Sequence, residues 1–285
     1  MKSSGQVAVP YSKRSKAALQ AVITKCIPAA EAAGCFSALE GLSGGSLHFT
    51  AGGQEYVARQ QPAAAMPGVS LSRQHRALKR IPRGIGPRPV CNADGWLIVE
   101  WLAGEVKSDI GPLPRLAALL YHLHGQARFG WRISLLPLLE HYWQHAEPGR
   151  RSLLWLRCLQ RMRRRGEPKP LRLAPLHMDV HAGNLVHQQS GMKLIDWEYA
   201  GDGDIALELA ATIAASGLDG ETLINSYARM SNVAPERLRR QVNRWRPWVI
   251  MLMASWYECR WQQTQDRTFI ALADGAWSLL RAKNR

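Results

Sequence analysis

The chain has 285 residues, and Lys and Arg outnumber Asp and Glu by 37 to 22, a net charge of +15. Its hydrophobic share of 46% and charged share of 21% are those of a globular chain, which excludes a disordered or fibrous protein. The charge draws it to polyanions (nucleic acid, acidic lipid or phosphorylated ligands) without choosing among them.

Residues 1–11 read as loose, and 12–25 as a short helix ended by Pro28. Cys26, Cys35, Cys91, Cys158 and Cys259 are scattered, odd in number and free of CxxC spacing, which predicts neither a disulfide framework nor a structural zinc site. Lys25 and Glu31 interrupt the apolar N-terminal stretch, so no signal peptide is expected. Ser46 to Thr50 and Glu55 to Gln60 read as strands around a Gly52-Gly53 turn. A glycine-rich approach, Gly41-Leu42-Ser43-Gly44-Gly45-Ser46, precedes them. Residues 70–80 have helical character, and Pro82, Pro87 and Pro89 break the segment beyond residue 80. Trp96 to Leu102 reads as a buried strand running to Gly104.

From residue 112 the periodicity turns helical. LPRLAALLYHLHGQ, SLLPLLEHYWQHA and RRSLLWLRCLQRMRRR are three helices. In the third, Arg161 to Arg165 read as a solvated helix end. LRLAPLH and NLVHQQSGMKLIDWE read as short strands, and residues 204 to 285 as helices rich in tryptophan. The apolar run Val249 to Tyr257 is too short to span a bilayer. These features predict a cytoplasmic protein with no membrane partner. The expected division is an N-terminal extension over 1–35, a small β-rich part over 36–103 and a larger helical part over 104–285.

The strongest chemical signal is His177-Met178-Asp179-Val180-His181-Ala182-Gly183-Asn184, an HxDxxxxN pattern followed by a strand ending in Asp196. In phosphoryl transfer one carboxylate orients the acceptor hydroxyl and takes its proton. An amide oxygen and a second carboxylate hold Mg²⁺ against the nucleotide phosphates. Asp179 is the candidate base, and Asn184 and Asp196 are the candidate Mg²⁺ ligands. The plainer alternative is a polar turn whose Asp and Asn bond the backbone. His177, His181, His122 and His124 read as structural, and Asp202 and Asp204 as a turn and helix N-cap.

The segment LHMDVHAGNLVHQQSGMKLIDWEYAGDGDIALELA resembles the aminoglycoside phosphotransferase and choline kinase superfamily. The resemblance implies an α+β, protein-kinase-like fold of two lobes, with ATP as co-substrate and Mg²⁺ as cofactor. It gives Asp204 a role in bracing the catalytic loop. GLSGGS, with Gly44, Gly45 and Ser46, resembles the loop that covers the nucleotide. Arg59 stands where protein kinases carry a phosphate-pairing lysine, and Gln74 where the family usually has that lysine's glutamate partner. Glu100-Trp101-Leu102 resembles the hinge that receives adenine, and Met178 replaces a common glycine. RFGWRISLLPLLEHYW and the motif segment are most similar to the branch acting on thiamine. Choline, another amino alcohol or an aminoglycoside is the alternative acceptor, and a basic nucleic-acid-binding protein on an inactive kinase fold a lesser one.

A cationic thiazolium calls for aromatic faces. Trp197, beside Asp196, is the leading candidate. Trp245 and Trp248 share a helical face with Trp256 and serve either as acceptor contacts or as core. Glu198 and Glu258 are acidic candidates to balance the cation. No specific nucleic acid and no obligate protein partner is expected.

Overall fold

The alternation of SLHFTA and QEYVARQ puts Leu47, Phe49, Tyr56 and Ala58 on one buried face, as a half-covered antiparallel pair requires. The structure is a computed structural model describing residues 13–27, 37–38, 46–61 and 67–282. In chain order its first elements are α1 (Lys13–Cys26), β1 (Ser37–Ala38), β2 (Ser46–Ala51), β3 (Gln54–Gln60), α2 (Leu71–Arg80), β4 (Pro89–Ala93), β5 (Trp96–Glu100) and β6 (Glu105–Val106). Next come α3 (Leu113–His124), α4 (Leu135–His145), α5 (Leu153–Arg165), β7 (Leu173–Leu176), β8 (Leu185–Gln188), β9 (Gly191–Leu194) and β10 (Gly201–Asp204). The chain then runs through α6 (Ile205–Ser216), α7 (Gly220–Ser231), α8 (Pro235–Thr264) and α9 (Thr268–Ala282).

Contacts group the described residues into two units. One runs to Lys107 and takes in Asn184–Ala200; the other comprises Ser108–Gly183 and everything from Gly201 on. A division in chain order at residue 104 keeps 184–200 with the helical part instead.

In the first unit the strands order as β1-β2-β3-β5-β4, all antiparallel. Leu19, Val22 and Ile23 of α1 close the apolar face over Phe49, Tyr56, Trp96 and Ile98. The sequence shows only breakers between Pro82 and Pro89, yet β4 begins at Pro89. Proline is tolerated there because β4 is an edge strand and Pro89 its first residue. The cysteines depart from expectation. Cys26 of α1 and Cys91 of β4 form a disulfide, because packing joins two elements far apart in sequence. The other described cysteines, Cys158 and Cys259, are free and buried. A second, three-stranded sheet orders as β6-β8-β9. Its close approach needs Gly104, where a Cβ would stand 2.6 Å from the His187 carbonyl oxygen.

The second unit is helical, with α6 at its centre. Every residue from Ile205 to Ala210 is buried, so this helix has no solvent face along that stretch. α3 packs on α7, and α8 packs on both α6 and α9. The GDGD segment, read from sequence as turn and cap, is β10, paired antiparallel with β7. Cβ atoms on Gly201 and Gly203 would meet Ile133 at 2.7 Å and Leu176 at 2.6 Å, so the strand lies where only glycine fits. Asp202 accepts from the Phe129 and Gly130 N–H groups at 2.7 and 2.8 Å. Asp204 caps α6 through Ala206 N–H at 3.3 Å. Among the described residues no helix is long and apolar enough to cross a membrane.

Candidate active site

The polar cluster of the first unit grows out of the β2–β3 register. Ser46 pairs with Arg59 across the hairpin, and Arg59 Nε donates to Ser46 Oγ at 3.2 Å. α2 starts at a Ser70 cap, whose Oγ accepts from Arg73 N–H, and buries Gln74 on its inner face. Gln74 Oε1 accepts from Arg59 Nη1 at 3.4 Å. The same Nη1 forms an ion pair with Asp196 Oδ1. An amide oxygen thus orients the guanidinium where kinases use a glutamate, and Asp196 supplies the negative charge.

β8 and β9 bring the two candidate metal ligands together. Leu185 pairs with Leu194, and Ile195 N–H donates to the Asn184 carbonyl at 3.0 Å. Asn184 therefore lies opposite the residue just before Asp196. Asp196 has φ +63, a left-handed conformation that few residues other than glycine, asparagine and aspartate adopt. An amide oxygen and a carboxylate oxygen are hard donors of the kind Mg²⁺ takes alongside water and phosphate. The donor set fits that ion.

The segment expected to be the hinge begins at Glu100, the last residue of β5. Glu100 N–H donates to the Arg88 carbonyl and Trp101 N–H to the Glu55 carbonyl, each at 2.9 Å. The Glu100 carboxylate is 3.9 Å from Arg83. Gly44 and Gly45 lie outside the described residues. Trp197 is 1% exposed and its indole donates to the Leu194 carbonyl at 3.0 Å. It is core of the first unit, pressed so close to Gly86 that a Cβ there would stand 3.0 Å from its Nε1. Glu198 is half-buried.

The loop carrying Asp179 belongs to the second unit and hangs from a buried network. Glu208 Oε1 accepts the backbone N–H groups of His177 and Met178, both at 2.6 Å. Glu208 Oε2 meets His124 Nε2 at 2.7 Å, and His124 Nδ1 meets the Tyr227 hydroxyl at 2.7 Å. Arg172 donates to the same hydroxyl at 3.0 Å. Burial alone would raise the Glu208 pKa. The hydrogen bond and charge of His124 outweigh it, helped by the Met178 N–H, and hold the carboxyl below its usual range. The Tyr227 phenol is pushed up, chiefly by burial. Glu208, not Asp204, braces the loop; Asp204 serves the α6 cap and the side chains of Gln241 and Trp245. One signal for Glu208 was in the sequence: a lone acid in the apolar run IALELAA has to be paired.

His177 is fully buried, and its Nδ1 accepts from Asp179 N–H at 3.2 Å. His181 Nδ1 accepts from Gly183 N–H, and its Nε2 faces Asp179 Oδ1 at 3.7 Å. Both histidines shape the loop. Met178 has φ +69, which explains why a glycine is common at this place in the family. Trp245 and Trp248 are 2% and 5% exposed; they are core, with Trp245 spending its N–H on Asp204 at 2.8 Å. Glu258 is also committed: Arg150 grips both its oxygens, and Trp277 donates to one of them. Half-buried Tyr257 differs. Its phenol is raised by burial and then by the charge of Asp179, which puts its hydroxyl in the field of the loop. Tyr257 stacks on Phe269 and meets Trp256 edge-on.

An antiparallel sheet unit followed by a helical unit, with these polar clusters, is the fold of the kinase-like phosphotransferases. Residues 38–242 match the phosphotransferase enzyme family, and the chain belongs to it. Over 243 residues it is 54% identical to proteins named thiamine kinase from Escherichia coli O157:H7 and Shigella dysenteriae serotype 1 (strain Sd197), covering 85% of this chain and 89% of each of them. Among solved structures, choline kinase LicA from Streptococcus pneumoniae superposes with a TM-score of 0.76 at 14% identity, covering 95% of this chain and all of that one. An aminoglycoside-3'-phosphotransferase of type VIII gives 0.59 at 20% identity, covering 82% of this chain and all of that one.

Proposed function

We propose that this protein is an ATP-dependent kinase that phosphorylates the primary hydroxyl of thiamine, giving thiamine monophosphate by direct in-line transfer. The observation that carries the acceptor is the 54% identity to proteins named thiamine kinase over 85% of the chain. Phosphorylating the preformed vitamin makes the role one of salvage, in the cytoplasm where ATP is at hand. No membrane, nucleic acid or obligate protein partner enters this reading.

Asp179 orients the acceptor hydroxyl and takes its proton as the oxygen–phosphorus bond forms and ADP leaves. Glu208 keeps that carboxylate in place by pinning the backbone of the two preceding residues. Arg59 offers a planar fork to phosphate oxygens, released in part from Asp196 as they arrive. Gly44, Gly45 and Ser46 cover the phosphates. The hinge at Glu100 and Leu102 takes the adenine through its backbone groups. Asn184 and Asp196 would hold Mg²⁺, which would supply positive charge against the phosphates. Trp197, Trp245 and Trp248 are core, so the aromatic face offered to the thiazolium falls to Tyr257, whose hydroxyl feels the Asp179 charge.

The test is ADP release by the purified protein with Mg-ATP and thiamine, choline, an aminoglycoside or no acceptor. Thiamine-dependent ADP with thiamine monophosphate as product is the expected result. Release with another acceptor alone would keep the kinase and discard thiamine.

A further inference from the structure

The second unit holds a groove of about 370 Å³ that the proposed chemistry does not use. One wall is Lys169, Pro170 and Leu171, on the segment leading into β7. The other is the start of α8, where Arg237, Arg240 and Arg244 face the groove around Gln241. These arginines are three and four residues apart, so they share one helix face over about 10 Å of axis. No carboxylate lines the groove.

Three features show that this charge is left open. First, Arg237, Arg240, Arg244 and Lys169 are exposed, and their side chains make no ion pair or hydrogen bond among the described residues. Arg239, on another face of the same helix, is gripped by both oxygens of Glu221. Like charges at this spacing repel and weaken a helix, and here nothing in the groove relieves them. Second, the arginines begin in the first turn of α8, the end whose dipole disfavours cations and favours anions. Third, the walls are joined: Gln241 Nε2 donates to the Lys169 carbonyl at 2.8 Å and to Asp204 Oδ2 at 2.7 Å. The Asp204 charge beneath is already engaged by Trp245 and by the α6 cap.

We propose that this groove is a binding site for a small anion carrying two or three linked phosphate groups. Arginine forks match phosphate oxygens in pairs, and about 10 Å of aligned charge suits a short phosphate chain. No aromatic side chain lines the groove, so it lacks the stacking faces with which proteins hold single-stranded nucleic acid. It shares no residue with the Arg59 cluster.

The experiment is calorimetric titration of the full chain with inorganic tripolyphosphate at low salt, because the attraction is screened as salt rises. Four proteins are compared: wild type, Arg240→Gln/Arg244→Gln, Lys169→Gln and Arg59→Gln. The last removes the cation of the proposed nucleotide cluster. The exposed positions make the groove variants safe for folding, which an unchanged melting temperature without ligand verifies. Loss of about tenfold or more in affinity in the double variant, a smaller loss in Lys169→Gln, and a groove phase that survives Arg59→Gln are expected. Wild-type affinity in the double variant overturns the proposal. So does tighter binding of a short single-stranded DNA through the same arginines, which makes the groove part of a nucleic-acid surface.

Discussion

The loop of Asp179 and the cluster of Arg59 solve the same problem, fixing a charged group, by opposite means. Behind the loop Glu208 and His124 are wholly enclosed, and the Glu208 oxygens, both His124 ring nitrogens and the Tyr227 hydroxyl each have a named partner. Around Arg59 the ion pair itself is only part-buried, with side chains 17–19% exposed in the Arg59–Asp196 pair. Breaking a buried ionic contact leaves a stranded charge in low dielectric, so the loop is held rigidly. A part-exposed pair can exchange partners at small cost, which the proposed phosphate and cation site would require. One region is built for permanence and the other for exchange.

The largest effect that sharpens this contrast is on turnover. Asp179→Asn should lower kcat by roughly 10²–10⁴ with little change in melting temperature, measured by ADP release and calorimetry. Near-wild-type turnover would remove Asp179 from the chemistry. Glu208→Ala should instead cost stability, about 3–5 kcal/mol for a broken buried pair, read from urea unfolding. Its charge also sets a pH dependence. The folded pKa lies below the unfolded value of about 4.3, so this stabilisation is full above that value and is lost as pH falls through the folded one. Glu208→Gln should flatten that acid limb; an unchanged limb would assign it to other carboxylates.

On the exchange side, Arg59→Ala should raise the KM for ATP about tenfold or more, for a charged hydrogen-bonding group worth about 1.5–3 kcal/mol, while stability barely moves. A stability loss as large as that of Glu208→Ala would break the comparison. Tyr257→Ala should raise the KM for thiamine with the KM for ATP unchanged, by the about 0.5–2 kcal/mol a cation gains from an aromatic face. Equal rises in both would deny it the acceptor. The smallest effect is expected for Met178→Gly. Relief of the left-handed strain, about 1–2 kcal/mol, is largely offset by glycine's extra unfolded-state entropy. Stability, read from urea unfolding, should then change by about 1 kcal/mol or less.

Much of this was legible along the chain. The β2–β3 hairpin, the helices from residue 113 and the HxDxxxxN loop all have local signatures: alternation, helical spacing and fixed intervals between chemical groups. Legibility failed where a residue's role depends on what crosses over it. Trp197 stands next to Asp196 in sequence, yet its indole turns into the core and bonds Leu194. Glu258 looks like a free acid on a helix and is sealed by Arg150 and Trp277. GDGD has the composition of a turn, and only the proximity of Ile133 and Leu176 shows why its glycines form a strand.

By itself the sequence determined the chemical kind of the protein, because catalytic loops keep their groups at short fixed spacings that folding need not explain. Tertiary structure alone decided which partner each charge found. Arg59 meets an aspartate 137 residues away, His124 a glutamate 84 residues away, and Cys26 a cysteine 65 residues away. Contacts at such separations are set by how packed elements close on one another, and no local pattern records them.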